Sequence, residues 1–177
     1  EELADLLKKN NADIVFSTKF YIEESKIFEA GKNAVNYPKS VIDLLSKFTY
    51  SLTMTCIKSD LLTKDLRFDE NLHYYEDGEF LTRLLVLKPH IVYNEHPSFH
   101  FRPGSITHSK FTRKTLTQID TNNIIDNRFK GINRKLDSVL KQRYVSMIAG
   151  MSTIAAKDLN HDKSLDRELQ LFAKKNL

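Results

Sequence analysis

The stretch FDENLHYYEDGEFLTRLL, residues 68–85, decides how the rest of the chain reads. In its second half Phe80, Leu81, Leu84 and Leu85 recur at helical spacing and form one apolar face. Glu76 and Asp77 stand just ahead of that face. Carboxylates in that position have an ordinary use: they accept hydrogen bonds from the free N–H groups of the first turn and complement the helix dipole. They also have a chemical use. An ionised carboxylate at the edge of a cleft can take the proton of a hydroxyl as that hydroxyl becomes a nucleophile. The stretch alone does not choose between the two, so its neighbours must.

Upstream, Leu3, Leu6 and Leu7 have helical spacing, and Asn10-Asn11 closes that helix. DIVFS, residues 13–17, reads as a buried strand, and FYIEESKIFEAG, residues 20–31, as strand-like pieces around a polar turn. A short helix is expected after Pro38, with Val41, Leu44 and Leu45 inward. YSLTMTCI, residues 50–57, alternates and is rich in strand formers, which predicts a strand with Cys56 as a small buried hydrophobe. Ser59 or Asp60 is suited to cap a short helix through Leu62. Downstream, residues 91–93 and 98–102 read as strands separated by a turn at Glu95-His96-Pro97. In the second of these, Phe99 and Phe101 share one side and His100 and Arg102 the other. Pro103-Gly104 then fits the centre of a type II turn. A turn that carries Arg102, the hydroxyl of Ser105 and free backbone N–H groups can bind a phosphate.

After His108 strand signals vanish. Leu136, Val139, Leu140, Tyr144, Met147, Ile148, Met151, Ile154 and Ala155 follow helical spacing, and a last helix is expected from Ser164 to near the end. The fold expected is therefore α/β over residues 1–108 followed by a mostly helical extension over residues 109–177. The charge divides in the same place. Residues 1–108 hold 13 Lys/Arg against 16 Asp/Glu, and residues 109–177 hold 14 against 7, so the extension is basic although the whole chain of 177 residues carries only +4. Apolar residues make up 41%, enough for a substantial core. The single cysteine excludes an internal disulfide and suits a reducing compartment. No apolar run approaches the ~20 residues needed to span a bilayer, and no cationic segment followed by an apolar one marks a signal peptide. The chain opens on EELADLLKKN and is expected to be a piece of something longer.

The order of these pieces resembles the second half of a family 2 glycosyltransferase with a GT-A fold. That family carries an F-x-E … E-D-x-x-F segment, matched here by Phe68, Glu70, Glu76, Asp77 and Phe80. It also carries a later Y/F-R-x-x-S-I-S/T segment, matched by Phe101, Arg102, Ser105, Ile106 and Thr107. EELADLLKKNNADIVFS resembles the helix and strand that follow the family's metal-binding D-x-D motif. The resemblance implies that residues 1–108 are the acceptor-side, catalytic-base portion of a GT-A-like domain. It implies inverting transfer of a sugar from a nucleotide-diphosphate donor to a hydroxyl of a saccharide or lipid-linked acceptor, in synthesis of cell-surface polysaccharide or glycolipid. Asp77 would be the base, Glu76 would orient the loop or touch the acceptor, and Arg102, Ser105 and Thr107 would contact the donor diphosphate. Mg²⁺ or Mn²⁺ would belong to the full-length enzyme, held by a D-x-D that this chain lacks, so the chain by itself is expected to be inactive. Family relatives that place a later histidine on the metal make His100 and His108 candidates, while His73 and His96 read as loop residues. The enzyme would be cytoplasmic, peripheral at the inner face of the membrane, with the basic extension facing anionic lipid.

Two other classes compete. Between Lys110 and Arg143 there are nine Lys/Arg against three Asp/Glu, which would suit a non-catalytic anion- or nucleic-acid-binding helical module. No DNA or RNA recognition motif accompanies them and aromatics are not interleaved, so no nucleic-acid partner is expected. The other reading makes the extension a helical oligomerisation tail.

Overall fold

A strand buried on both faces organises the first part of the chain. The computed structural model describes residues 2–22, 26–29, 40–47, 52–63, 65–72, 74–96, 100–101, 111–158 and 162–176. Helix α1 (Glu2–Lys9) has Glu2 and Asp5 in its first turn and Lys8 and Lys9 in its last, charges that match the helix dipole at each end. Asn11 takes the left-handed conformation, φ 45°, that reverses the chain after the helix. Strand β1 (Ile14–Ser17) follows, all four residues buried. It pairs antiparallel with β4 (Thr55–Ile57) and parallel with β5 (Ile91–Asn94), giving the sheet order β4-β1-β5. A second small sheet, in the order β3-β2-β6, joins β2 (Lys19–Ile22), β3 (Lys26–Glu29) and β6 (His100–Phe101). Helix α2 (Val41–Lys47) buries Leu44 and Leu45, as its spacing predicts. Helix α3 (Glu76–Val86) buries Phe80, Leu81, Leu84 and Leu85. The chain is mixed α/β, with small sheets and mostly helices.

Three expectations in this part are corrected. Residues 52–54 form a 3₁₀ turn rather than the first half of a strand. The antiparallel ladder with β1 stops at the pair of Phe16 with Thr55, and Met54 is buried within the 3₁₀ turn. Cys56 lies in the three residues that do pair, half-buried rather than fully buried. The short turn Ser59–Leu61 takes Lys58 as its N-cap, with no side-chain cap bond. The Ser59 hydroxyl instead points at Asp60, 3.4 Å away.

The chain forms two compact units, one of Glu1–Asp69 and Asp77–Pro103, the other of Glu70–Glu76 and Gly104–Leu177. The second is helical: α4 (Arg113–Phe129), α5 (Arg134–Lys157) and α6 (Lys163–Asn176). Their core is Leu116 and Ile119 of α4, Tyr144, Ile148, Met151 and Ala155 of α5, and Leu165 and Leu169 of α6, with Phe111 ahead of them. Side chains close the helix ends. Asn133 accepts from the N–H groups of Lys135 and Leu136 at 2.8 and 3.4 Å. Asp162 accepts from Ser164 at 2.9 Å, and Asp158 accepts from Phe111 N–H at 3.2 Å. Gly131, φ 82°, makes the turn between α4 and α5, where its N–H donates to Asp137 at 3.0 Å. Helix α4 was not legible in the sequence. Ile154, expected in the α5 stripe, is 45% exposed, because it lies about 100° round the helix from the buried Ala155.

Candidate functional site around the start of α3

The motif stretch folds into a clamp. Phe68 stacks on Phe80, ring centroids 4.7 Å apart and planes 22° from parallel. Phe80 is 3% exposed and Phe68 45%, so the outer ring lies as a cover on the inner one. Immediately before Phe80, Glu79 is fully buried, and Arg83, one turn on, grips it with a two-pronged contact, Nε to Oε1 at 2.8 Å and Nη2 to Oε2 at 2.9 Å. A buried carboxylate needs such a partner, because desolvation otherwise penalises its charge. The same guanidinium donates to the backbone carbonyls of Asp65, at 3.1 Å, and Arg67. One side chain thereby ties the segment before Phe68 to the helix that carries the motif carboxylates. The i,i+4 spacing of Glu79 and Arg83 was the available sequence signal for this pair.

Asp77 stands in the first turn of α3, half-buried. Its Oδ1 accepts from the N–H of Gly78 at 2.7 Å, so part of its role is to satisfy an otherwise free donor of the helix start. Glu76 opens the helix and is also half-buried. Ahead of them Tyr75 holds a left-handed backbone, φ 63°. Its hydroxyl accepts from Arg143 Nη2 at 2.6 Å, and the carbonyl of Tyr74 accepts from the Thr121 hydroxyl at 2.8 Å. These partners are 68 and 47 residues away, and no local pattern in the sequence announces them.

Of the other residues singled out from the sequence, Glu70 is exposed. Arg102, Ser105 and Thr107, with Ile106 and His108, lie outside the described residues, and so does His73. The expected meeting of Asp77 with the Arg102–Ser105 turn therefore falls outside them too. His100 lies in β6, where it pairs with Tyr21. His96 sits in a loop braced by Asn94, whose Oδ1 accepts from His96 N–H at 3.2 Å. Among the described residues no group of three or more His, Cys, Asp or Glu side chains is arranged to hold a metal ion. None of the described helices is long and apolar enough to cross a membrane.

A separate open cleft of about 630 Å³ lies in the α/β unit between the outer face of α1 and the end of β5, lined by Glu2, Asp5, Leu6, Lys9, Tyr93 and His96 among others. Burial pushes the Tyr93 phenol up to about 12. In the helical unit a cavity of about 290 Å³ opens between α4 and α5 beside Asn122, Asp126, Lys130 and Tyr144.

No family model matches the chain, and no curated protein and no solved structure matches it significantly.

Proposed function

We propose that the chain is the C-terminal portion of a family 2 glycosyltransferase of GT-A fold, with Asp77 as its general base. The observation that supports this reading best is the clamp around the motif. Phe68 and Phe80, the two phenylalanines that frame the matched carboxylates, stack on each other, and Asp77 stands between them in sequence at a helix start. A rigid element holding a partly accessible carboxylate is what base catalysis requires. The sheet order β4-β1-β5, with a parallel pair at β1 and β5, suits an α/β transferase domain.

In the proposed reaction the acceptor hydroxyl attacks the anomeric carbon from the face opposite the leaving group. The O–C bond forms as the bond from that carbon to the diphosphate oxygen breaks. The hydroxyl proton passes to the Asp77 carboxylate, and the nucleoside diphosphate leaves. Glu76 orients the acceptor side, and Arg102, Ser105 and Thr107 would provide donors to the diphosphate. The described residues do not form a metal site, and the sequence has no D-x-D. The Mg²⁺ or Mn²⁺ of such an enzyme would depend on residues ahead of Glu1, and no step here passes through it. The donor would be a nucleotide-diphosphate sugar and the acceptor a saccharide or lipid-linked saccharide of a cell-surface polymer. The basic helices would face an anionic cytoplasmic membrane surface.

The test uses the full-length protein with whatever precedes Glu1, screened against nucleotide-sugars with Mn²⁺ for release of nucleoside diphosphate. Asp77→Asn is expected to lower release by about 10²–10⁴-fold, the range for removal of a general base. Release unchanged in the variant would remove Asp77 from the mechanism.

A further inference from the structure

We infer that the outer face of Phe68 is a stacking platform for the acceptor, a saccharide whose ring lies with its aliphatic C–H face on the phenyl ring and a hydroxyl toward Asp77. For the role of the bound sugar the inference rests on the reading of Asp77 as the base. Every residue involved belongs to the α/β unit. Asp77, Phe80 and Arg83 follow one another at three-residue intervals on α3 and form one ridge of that helix. Phe68 stacks on the middle member, Phe80, with ring centroids 4.7 Å apart. Arg83 stands at one end of the ridge, its guanidinium 5.9 Å from the Phe80 ring centroid. It holds the backbone that leads into Phe68 through the carbonyls of Asp65 and Arg67. Asp77 stands at the other end, so a ligand resting on Phe68 lies on the side of α3 that carries the carboxylate.

Exposure by itself says little, since single apolar side chains on a surface are ordinary. What sets Phe68 apart is its support. Phe80 fixes the inner face of its ring, and Arg83, oriented by the buried Glu79, fixes the peptide before it. Such a buried ion pair gives little net stability over an apolar pair, so its main effect is to hold geometry. The outer face stays in water: Phe68 is 45% exposed, and no other aromatic side chain among those described is exposed to that extent. A flat, fixed, apolar face near a carboxylate suits a ligand with two characters. A phenyl face carries partial negative charge and attracts the slightly positive C–H groups of a neighbour. A pyranose presents such groups on one face and hydroxyls around its rim, so it satisfies both partners at once. A wholly apolar ligand would strip water from the carboxylate without replacing its hydrogen bonds.

The experiment uses the full-length protein and three probes: methyl β-D-glucopyranoside, methyl β-D-galactopyranoside and methyl N-acetyl-β-D-glucosaminide. The aromatic protons of the protein are saturated, and transfer to each probe is followed by NMR. For probes that accept sugar, kcat and acceptor KM are measured as well. Wild type should transfer to the ring C–H protons of at least one probe. Phe68→Leu keeps an apolar contact on Phe80 but no flat face. It should weaken binding about tenfold and raise acceptor KM accordingly, with kcat and donor KM changed by less than about twofold. Phe68→Tyr keeps the face and should stay within about twofold of wild type. Asp77→Asn should keep the transfer and lose turnover. Absence of transfer to all three probes, or equal binding by wild type and Phe68→Leu, would overturn the platform. A fall shared by Phe68→Leu and Phe68→Tyr, with a lower melting temperature in both, would mark the ring as packing for Phe80 and overturn it as well. Transfer that depends on Phe68 beside undiminished turnover in Asp77→Asn would sink the reading of the base alone and keep the saccharide platform.

Discussion

Helices α3 and α5 both bury one face, but they fill it with different chemistry. α3 places a fully buried carboxylate, Glu79, in a row with Phe80, Leu81, Leu84 and Leu85, and answers it with Arg83. α5 buries Leu136, Val139, Leu140, Tyr144, Ile148, Met151 and Ala155, while the basic residues near its start, Lys135 and Lys141, stay exposed. The apolar face gains from every methylene removed from water and has no directional requirement. The ion pair gains little net stability over an apolar pair of similar volume, but it specifies geometry, since Arg83 also fixes the backbone at Asp65 and Arg67. The polar pair anchors a neighbouring segment of backbone, whereas the apolar face of α5 packs into the shared core of three helices.

The largest expected effect breaks the polar design. Arg83→Leu leaves Glu79 buried without its partner and should cost about 3–5 kcal/mol in urea unfolding, while Arg83→Leu combined with Glu79→Leu should recover much of that loss. A single mutant no less stable than wild type would show that water reaches Glu79 and would erase the contrast. Next comes the apolar design: Ile148→Ala, at a site 5% exposed, should cost about 2–5 kcal/mol, with no partner mutation able to rescue it. Removal of the α5 cap by Asn133→Ala should cost roughly 1 kcal/mol, readable as a lower melting temperature and faster amide exchange at Lys135 and Leu136. The smallest effect belongs to the exposed pair of Arg113 and Glu168, 3.0 Å apart. Glu168→Gln should change unfolding free energy by less than about 1 kcal/mol, less still at high salt.

Elements with a clean period were legible in the sequence. The buried run of β1, the Leu3/Leu6/Leu7 spacing of α1, the apolar face of α3 and the stripe of α5 all follow from residues a few positions apart. Helix α4 was not, because RKTLTQIDTNNIIDNRF is rich in Thr, Asn and Asp, which are weak helix formers, and part of its buried face is Thr115 and Thr121 rather than Leu or Ile. Its signal was the threonine pair at its start, where Thr112 N–H donates to the Thr115 hydroxyl at 3.2 Å. The candidate site divides in the same way. The placement of Glu76 and Asp77 at a helix start could be read from the apolar face that follows them. The grip of Arg143 on Tyr75 could not, because contacts between residues so distant in sequence depend on how helices pack and leave no local trace.

The helical unit takes in Glu70–Glu76 as well as the C-terminal stretch, so the chain visits it twice. That arrangement bears on how such a protein can be cut or recombined. A fragment ended near residue 108 would keep Tyr74 and Tyr75 but lose the hydroxyl and the guanidinium that hold them. A graft of foreign helices would have to bring both groups at matching turns. The basic helices are thus no interchangeable appendage, and the two parts of the chain are expected to be inherited together.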